Sequence, residues 1–477
     1  MADAGELHIN GIDGVTGEYL LPPLPPDVVA RVAGGERLEK DELDELKARQ
    51  RASTEAYLGV VAGVDPTKLE ESGWGVVFPH DIEPEVLEAL RPLLDHRRAE
   101  AAAVEPGRYR EYAGPDGHRP EDRSTTFLAR HGIAPGNPAD PDRMPYYLLL
   151  VGGPDRIPFR FQYQLDVSFA VGRISFDTAE EYGRYAESVV RSEREARPSP
   201  SAVFLGTRNA DDRATTLSAE HLVAPLAKGL STRFQDRTFE ILVGEEQATK
   251  ASLAGAFHRE TAPAFVFTAT HGMAFPKGDP RQAPHQGAPL CQEWPGPLQW
   301  RQPIPQDFYL AGDDVADDAR VDGAVVFLFA CYGAGTPQHD DFGDSLGTPP
   351  EIAPGAFVAG LPRRLLGHPR GSALAVVGHV ERAWGYSFVW PGIGSQLQVF
   401  DSALTELLRG VPVGHAIEYF SDRYAALTTD LEALKEDARF GGTPDPLEVS
   451  GLWTARNDAR NYVLLGDPAV RMAPASG

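Results

Sequence analysis

Short apolar runs that alternate with helix-patterned stretches constrain the fold of this chain more than any other feature. The run Tyr146–Val151 is apolar throughout and stops at a Gly-Gly-Pro turn. A strand buried on both faces of a parallel sheet has this continuous apolar pattern. Similar runs lie at 74–79, 169–174, 202–206, 239–243, 264–270, 324–330 and 373–378.

Helical patterns lie between these runs, at 83–98, 178–194, 218–230, 249–258, 355–366 and 395–409. Strands that alternate with helices predict an α/β fold with a parallel, doubly wound sheet. We expect an N-terminal extension at 1–74, which is regulatory or a pro-segment, and which holds a Pro-rich run and a charged helical stretch at 36–51. A first α/β subdomain is expected at 75–197. A larger catalytic subdomain is expected at 198–477, after a boundary at Pro198-Ser-Pro200.

The charge of the chain excludes some partners. Its 477 residues carry 45 Lys and Arg against 69 Asp and Glu, a formal net charge of −24. Nucleic acids and anionic membranes attract clustered basic residues, so neither is expected as the main partner. No apolar run approaches the ~20 residues that span a bilayer. The N-terminus lacks the basic start and apolar stretch of a signal peptide, which predicts a cytoplasmic protein.

Cysteine is scarce, with Cys291 and Cys331 as the two examples. A disulfide framework and a Cys-rich zinc site are therefore not expected. Cys331 directly follows the apolar run 324–330, and His271 directly follows the run 264–270. Functional groups of open α/β sheets gather at the carboxyl ends of strands, so these two side chains are expected at one edge.

A thiol beside an imidazole is the arrangement that nucleophilic catalysis requires. The imidazole takes the thiol proton and later protonates the leaving amine. The N–H groups of Gly272 and Cys331 are candidates for an oxyanion hole, in which one donor is commonly worth about 3 kcal/mol. The alternative for a lone cysteine at a strand end is a small core residue.

The His-Gly at 271–272 and the Ala-Cys at 330–331 resemble the signatures of the caspase clan of cysteine peptidases. Other segments are similar to those of its gingipain family: Tyr147 to Pro158, the Val-Gly-Arg-Ile at 171–174, and the Gly-Asp-Pro at 466–468. The resemblance covers roughly residues 75–477. Bacterial CHAT-domain peptidases share the two clan signatures.

This resemblance implies a caspase-like three-layer sandwich with a mostly parallel sheet in two adjacent α/β subdomains. It also implies a thiol protease that forms an acyl-enzyme on Cys331 and cleaves a protein or peptide after Arg or Lys. Asp166 and Trp384 match the family's basic pocket, since a carboxylate pairs with a cation and an indole face stacks on it. Asp155 is the candidate to orient the histidine.

No cofactor is expected to be required. Some relatives bind calcium, and acidic runs at Asp313–Asp318 and His339–Asp344 are candidates, although neither has EF-hand spacing. The alternative function is a catalytically silent, caspase-like interaction or scaffold module in a signalling or defence assembly, with a regulatory protein partner. A non-peptidase α/β hydrolase is disfavoured because no Gly-x-Ser-x-Gly elbow follows a strand.

Overall fold

A computed structural model describes residues 59–134, 136–195, 199–244, 246–340, 350–390 and 393–475. The described strands are β1 Trp74–Val77, β2 Tyr109–Tyr112, β3 Tyr147–Val151, β4 Ala170–Ile174, β5 Ser201–Gly206, β6 Thr238–Val243, β7 Phe265–Ala269, β8 Val325–Phe329, β9 Gly335–Thr336, β10 Phe357–Val358, β11 Ala375–His379, β12 Val389–Trp390, β13 Gly394–Ser395 and β14 Tyr462–Gly466.

The longer helices lie mostly between these strands. The described α-helices are α1 Leu69–Ser72, α2 Pro84–Ala89, α3 Arg91–Ala101, α4 Ser124–Arg130, α5 Phe159–Leu165, α6 Ala179–Glu195, α7 Arg213–Ser218, α8 Ala224–Arg233, α9 Lys250–Ala256, α10 Gln282–His285, α11 Gly360–Leu366, α12 Gln398–Leu408, α13 Val413–Ala416, α14 Glu418–Arg439 and α15 Pro446–Arg460. A π-helical stretch at Ala219–Val223 joins α7 to α8.

Ten of the described strands form one sheet in the order β2-β1-β3-β4-β14-β11-β8-β7-β5-β6. All five residues of β3, β7, β8 and β11 are buried, so helices and loops cover both faces of the sheet there. β14 runs antiparallel to β11, whereas β11, β8, β7 and β5 are mutually parallel neighbours. The predicted α/β fold with a mostly parallel sheet is confirmed.

Contacts on each side of the sheet show which strand ends share an edge. After β3, the ring of Phe159 lies against Gly335, where an added Cβ would be 2.6 Å from the ring. Gly335 follows β8, so the carboxyl ends of β3 and β8 lie on one side. On the other side Trp74, at the start of β1, donates from Nε1 to Asp467 at 2.9 Å. We call these sides the carboxyl edge and the amino edge.

A buried ion cluster at the amino edge ties the last strand to the first helices. Arg97 in α3 is 1% exposed and donates from Nε to Asp467 at 2.7 Å, while Asp467 is completely buried. Arg97 also donates to Glu193 and Glu100 at 2.6 Å each. Burial acts to raise the pKa of Glu193, but Arg97 and His96 outweigh it and lower this pKa to about 2. The Gly-Asp-Pro motif therefore has a structural role.

Several elements differ from the sequence predictions. No strand was predicted between 101 and 123, yet this stretch contains β2, a half-exposed edge strand whose Tyr-Arg-Glu-Tyr sequence has no apolar pattern. The helix expected at 83–98 is divided at Leu90 into α2 and α3. The helix expected at 355–366 begins only at Gly360, because Phe357–Val358 pair with β9.

The long helices α14 and α15 were not predicted, because α14 buries only Phe420 and Leu431 and so has no continuous apolar face. The predicted extension 1–74 falls largely outside the described residues, including the helical stretch at 36–51. Strands from both predicted subdomains join one sheet, and their division at 197–198 stays a prediction. Within the described residues, we find no helix with the length and apolar character needed to span a bilayer.

Candidate active site

His271 and Cys331 lie at corresponding positions on neighbouring strands. β7 and β8 are parallel, with Ala269 opposite Phe329, and each candidate follows two residues later. The N–H of Thr270 donates to the Phe329 carbonyl at 3.1 Å, which continues the ladder toward the site. The structure therefore brings the predicted pair together at the carboxyl edge.

Gly272 is in direct contact with the backbone of Cys331. A Cβ added at position 272 would lie 1.9 Å from the Cys331 carbonyl oxygen and 2.9 Å from its amide nitrogen. Contacts this short do not occur for real side chains, so only glycine allows the two segments to approach so closely. The absence of a side chain at 272 thus sets the separation of the His and Cys loops.

Asp212 holds the imidazole of His271, and the sequence prediction missed it. His271 Nε2 and Asp212 Oδ2 are 2.7 Å apart, with the Asp212 side chain 11% exposed. Asp212 is the N-cap of α7, where its carboxylate also accepts from the N–H groups of Ala214 and Thr215. Burial acts to raise the pKa of Asp212, but the hydrogen bonds from His271 and Thr215 outweigh it and lower the pKa to about 2. The carboxylate is therefore ionised and fixes the ring.

The local sequence carried a signal for Asp212. It stands six residues after the apolar strand β5, and β5 pairs with β7. An aspartate directly before a helix is a strong N-cap, and a cap after a parallel strand lies at the carboxyl edge. This pattern alone does not connect Asp212 with His271, because the two positions are far apart along the chain.

Trp294 covers the imidazole from the side. Its ring meets that of His271 edge-on, with 5.8 Å between the ring centroids. Asn209, which is buried, donates from Nδ2 to the Trp294 carbonyl at 2.7 Å and so connects the loop after β5 to the loop that carries the tryptophan. This packing leaves the His271 side chain 36% exposed on its remaining sides.

A tight turn presents Cys331. Tyr332 has φ +59°, a left-handed conformation that is uncommon for an aromatic residue and is typical of strained functional turns. Its N–H donates to the Glu381 carbonyl at 2.8 Å, which holds the turn against the loop after β11. From that loop the Ala383 N–H donates to Cys331 Sγ at 3.4 Å. Desolvation raises the pKa of the Cys331 thiol, and the Ala383 N–H opposes this only in part.

Two backbone N–H groups, one in each of the His and Cys loops, make no backbone hydrogen bond among the described residues. The N–H groups of Tyr332, Gly333 and Ala334 donate to the carbonyls of Glu381, Ala330 and His379, respectively. For the N–H groups of Gly272 and Cys331 we find no backbone acceptor among the described residues. These are the two donors that the sequence singled out for an oxyanion hole.

A buried carboxylate anchors the loop beside the thiol. Asp458 in α15 is 1% exposed and accepts from the Trp384 N–H at 2.8 Å. It also lies 3.2 Å from His379 Nε2 and accepts from the Ser387 hydroxyl. Three donors from one loop and the strand before it thus converge on one carboxylate. This fixes Ala383 and Trp384, so the predicted Trp384 does lie next to the Cys331 loop.

A second cluster of charged side chains, centred on Arg382, lies in the loop that contacts Cys331. Arg382 donates to both carboxylate oxygens of Asp340, at 2.7 and 2.8 Å, and to Glu381 at 2.9 Å. Both carboxylates are buried, at 9% and 3% exposure. These bonds join the loop after β9 to the loop that contacts Cys331.

Asp155 does not orient His271. It is exposed in the loop after β3, at the carboxyl edge, but β3 and β7 are five positions apart in the sheet. At about 4.8 Å per position that is roughly 24 Å, far beyond hydrogen-bond reach. Asp212 takes the place expected for Asp155, and it lies in the loop after β5, the strand next to β7.

Asp166 does not lie in a pocket beside Cys331. It follows α5 and precedes β4, and its Oδ1 accepts from the Val171 N–H at 3.1 Å. It therefore lies at the amino edge, a full strand length of roughly 16 Å from the carboxyl edge. There it lines a 370 Å³ cavity with Tyr146, His415 and Glu418. The basic pocket that the sequence placed on Asp166 and Trp384 is thus not assembled.

Most of the described carboxylates in the acidic runs considered for calcium pair with basic side chains. Asp313, Asp314 and Asp317 pair with His285, Lys250 and Arg364, respectively. In the second run Asp340 binds Arg382, and 341–349 lie outside the described residues. Calcium binding stays a prediction.

One other group of side chains has the composition of a metal site. Potential ligand atoms of His96, Glu100 and Glu193 lie within 4.8 Å of one another. The Arg97 guanidinium already donates to both glutamates. This cation supplies the positive charge that a metal would bring, so the residues fit a metal poorly.

No protein-family model and no curated protein matches the chain. Among solved structures, one described as the structure of a protease is similar at 13% identity, over 85% of this chain and 80% of that chain, with a TM-score of 0.45. The complex of RgpB pro- and mature domains from Porphyromonas gingivalis is similar at 12% identity, over 85% and 81%, with a TM-score of 0.47. The separase–securin complex from Saccharomyces cerevisiae is similar at 9% identity, over 67% and 15%, with a TM-score of 0.33. At such values the similarities assign the chain to no family.

Proposed function

We propose that this chain is a cysteine endopeptidase in which Cys331 is the nucleophile, His271 the general base and Asp212 the residue that orients the base. The observation that carries the proposal is the 2.7 Å contact between Asp212 and His271. His271 follows β7, and Cys331 follows the neighbouring parallel strand β8. Acyl transfer requires a nucleophile, a base close to it and a carboxylate that orients the base, and the neighbouring positions of Cys331 and His271 support this arrangement.

The proposed reaction begins with a neutral thiol. Because the Nε2–H of His271 is donated to Asp212, Nδ1 is the nitrogen that accepts the thiol proton. The sulfur attacks the scissile carbonyl carbon, and the N–H groups of Gly272 and Cys331 stabilise the oxyanion. The imidazolium then protonates the leaving amine, and water hydrolyses the acyl-enzyme with His271 again as base.

Because the pKa of the Cys331 thiol is raised, we assign Asp212 the role of assisting its deprotonation through His271. A thiolate does not form spontaneously in a desolvated site, so deprotonation depends on the stability of the imidazolium. An ionised carboxylate at 2.7 Å favours that imidazolium. Cleavage after Arg or Lys is part of the proposal. Asp166 does not support it, because this carboxylate lies at the amino edge. Its support is the indole of Trp384 in the loop beside Cys331, since an indole face can stack on a cation.

A peptide probe that alkylates thiols, built on an Arg or Lys residue, tests this function. We expect the wild-type protein to be labelled and to cleave matching fluorogenic peptides, and the Cys331→Ala protein to do neither. Cys291 is the internal control, since it is completely buried and burial raises the pKa of its thiol. Full activity in Cys331→Ala would refute the assignment, and a library of peptides with every residue before the scissile bond would test the basic preference.

The second candidate function is a silent interaction module, or an enzyme kept inactive until a partner binds. One observation favours it: the Ala383 N–H already occupies Cys331 Sγ, and desolvation keeps this thiol protonated. Labelling that requires added cell extract would support an enzyme with a regulatory partner. No labelling of Cys331 under either condition would support the silent module.

A further inference from the structure

A large cavity opens at the carboxyl edge. Its volume is about 770 Å³, and it lies between the loops after β1, β3 and β4 on one side and β10 and α11 on the other. We call it the β3–β4 groove. Its lining includes Pro79, Ile82, Gly152–Arg156, Ser175–Ala179, Gly355–Val358 and Arg363.

The wall of this groove is continuous with the loop that carries Cys331. β9 begins four residues after Cys331 and pairs with β10, and Phe357 and Val358 of β10 line the groove. The ring of Phe159 packs against β9, since a Cβ added at Gly335 would lie 2.6 Å from this ring. A polypeptide seated at Cys331 could therefore continue along β9 and β10 into the groove.

The distance suits a peptide substrate. β4 and β8 are three positions apart in the sheet, which is roughly 14 Å at about 4.8 Å per position. An extended peptide covers about 3.3 Å per residue, so about four residues span this distance. A residue four or five positions from the scissile bond would reach the groove.

The charges of the groove favour a cation. Four carboxylates line it, from Glu83, Glu85, Asp155 and Asp177, against the guanidinium groups of Arg156 and Arg363. Both arginines are engaged: Arg156 with Asp81 and Glu83, and Arg363 with Asp177 at 2.7 Å. For Glu85 and Asp155 we find no ion-pair partner within the described ranges, and both are exposed.

We propose that the β3–β4 groove is an exosite that binds a basic side chain of the polypeptide substrate, four or five residues from the scissile bond, through Glu85 and Asp155. The partly exposed ring of Phe357 would pack against the aliphatic part of that side chain. This inference rests on the proposed peptidase function and adds a selection that the residues around Cys331 do not provide.

Binding to the full-length Cys331→Ala protein tests the exosite without interference from cleavage. The probes are fluorescent twelve-residue peptides with a central Arg. Each peptide carries one pair of residues, either Lys-Lys or Gln-Gln, at the fourth and fifth positions before the Arg or at the fourth and fifth positions after it. We expect one Lys peptide to bind about fivefold more tightly than its Gln counterpart at low salt, a modest effect typical of exposed charge pairs. Asp155→Lys combined with Glu85→Lys should abolish this difference.

Glu88→Lys is the matched control, because Glu88 is an exposed residue of α2 that does not line the groove. This variant should keep the preference for Lys. Equal binding of Lys and Gln peptides, or an equal loss in Glu88→Lys, overturns the exosite. Cleavage of a short Arg reporter by the wild-type protein tests the peptidase function separately. If no reporter is cleaved but Lys binding still depends on Asp155 and Glu85, the peptidase function fails and the groove remains a site for basic peptides.

Discussion

Asp212 Oδ2 lies 2.7 Å from His271 Nε2, and this contact joins the loop after β5 to the strand end beside Cys331. Replacement of Asp212 by Asn keeps the shape but removes the charge and allows the wrong tautomer of the imidazole. We expect Asp212→Asn to lower kcat by up to about 10⁴-fold, the loss found when the orienting aspartate of a catalytic triad is replaced by Asn. Asp211→Asn is the control, since Asp211 is exposed and its left-handed backbone suits Asn. Comparable loss in both variants would contradict the role of Asp212.

The low pKa of Asp212 predicts a pH dependence of stability. The folded-state pKa of about 2 is below the ordinary value of 3.8, so this carboxylate stabilises the fold above pH 4. That contribution disappears as the pH falls from 4 to 2. It amounts to about 2 kcal/mol by linkage. Urea unfolding should show wild type more stable than Asp212→Asn by this amount at pH 7, with convergence near pH 2. A difference that persists unchanged at pH 2 would show another origin.

Gly272→Ala should disrupt the geometry of the site. The new Cβ would lie 1.9 Å from the Cys331 carbonyl oxygen, so one loop must move. A displacement of about 1 Å in a catalytic group can cost 100-fold in rate, and we expect at least that loss in kcat/KM. Gly385→Ala is the control, because an added Cβ there meets no atom within 4 Å. Near-normal turnover by Gly272→Ala would mean that the two loops separate freely.

Asp458→Asn should disturb the loop that contacts the thiol. An amide has one acceptor oxygen, whereas Asp458 accepts from Trp384 and Ser387 and lies 3.2 Å from His379. We expect KM to rise and kcat to fall, each by about 3- to 10-fold, because a lost buried hydrogen bond costs about 1 kcal/mol or more. Glu448→Gln on the exposed start of the same helix is the control and should match wild type. An unchanged KM in Asp458→Asn would assign this carboxylate a role in stability alone.

Arg97→Met should destabilise the whole fold. The substitution leaves the buried carboxylate of Asp467 without its cation, which typically costs 3–5 kcal/mol. The neighbouring Arg98→Met removes half-exposed ion pairs and should change the free energy of unfolding by under about 1 kcal/mol. Urea unfolding of both variants at neutral pH measures the difference. Equal effects would show that the burial of Arg97 does not matter.

Much of the central sheet could be predicted from the sequence. The runs at 146–151, 264–270 and 324–330 are strands buried on both faces, and their apolar composition is visible without a structure. The edge strand β2 could not be predicted, because a short strand with half-exposed tyrosines leaves no apolar pattern. The helix α14 was missed because it buries only Phe420 and Leu431. The helix α15 was missed because most of the residues that it buries are small or polar.

The sequence by itself determined that His271 and Cys331 would lie at one edge of the sheet, because each directly follows a buried strand and parallel neighbouring strands end at one edge. Only the tertiary structure decided what surrounds them. Asp212, Asp155 and Asp166 all stand near strand ends in the sequence. The order of strands brings Asp212 to the histidine, leaves Asp155 five positions away and puts Asp166 at the other edge. That order follows from how buried faces and crossover helices pack together, and no local pattern of residues records it.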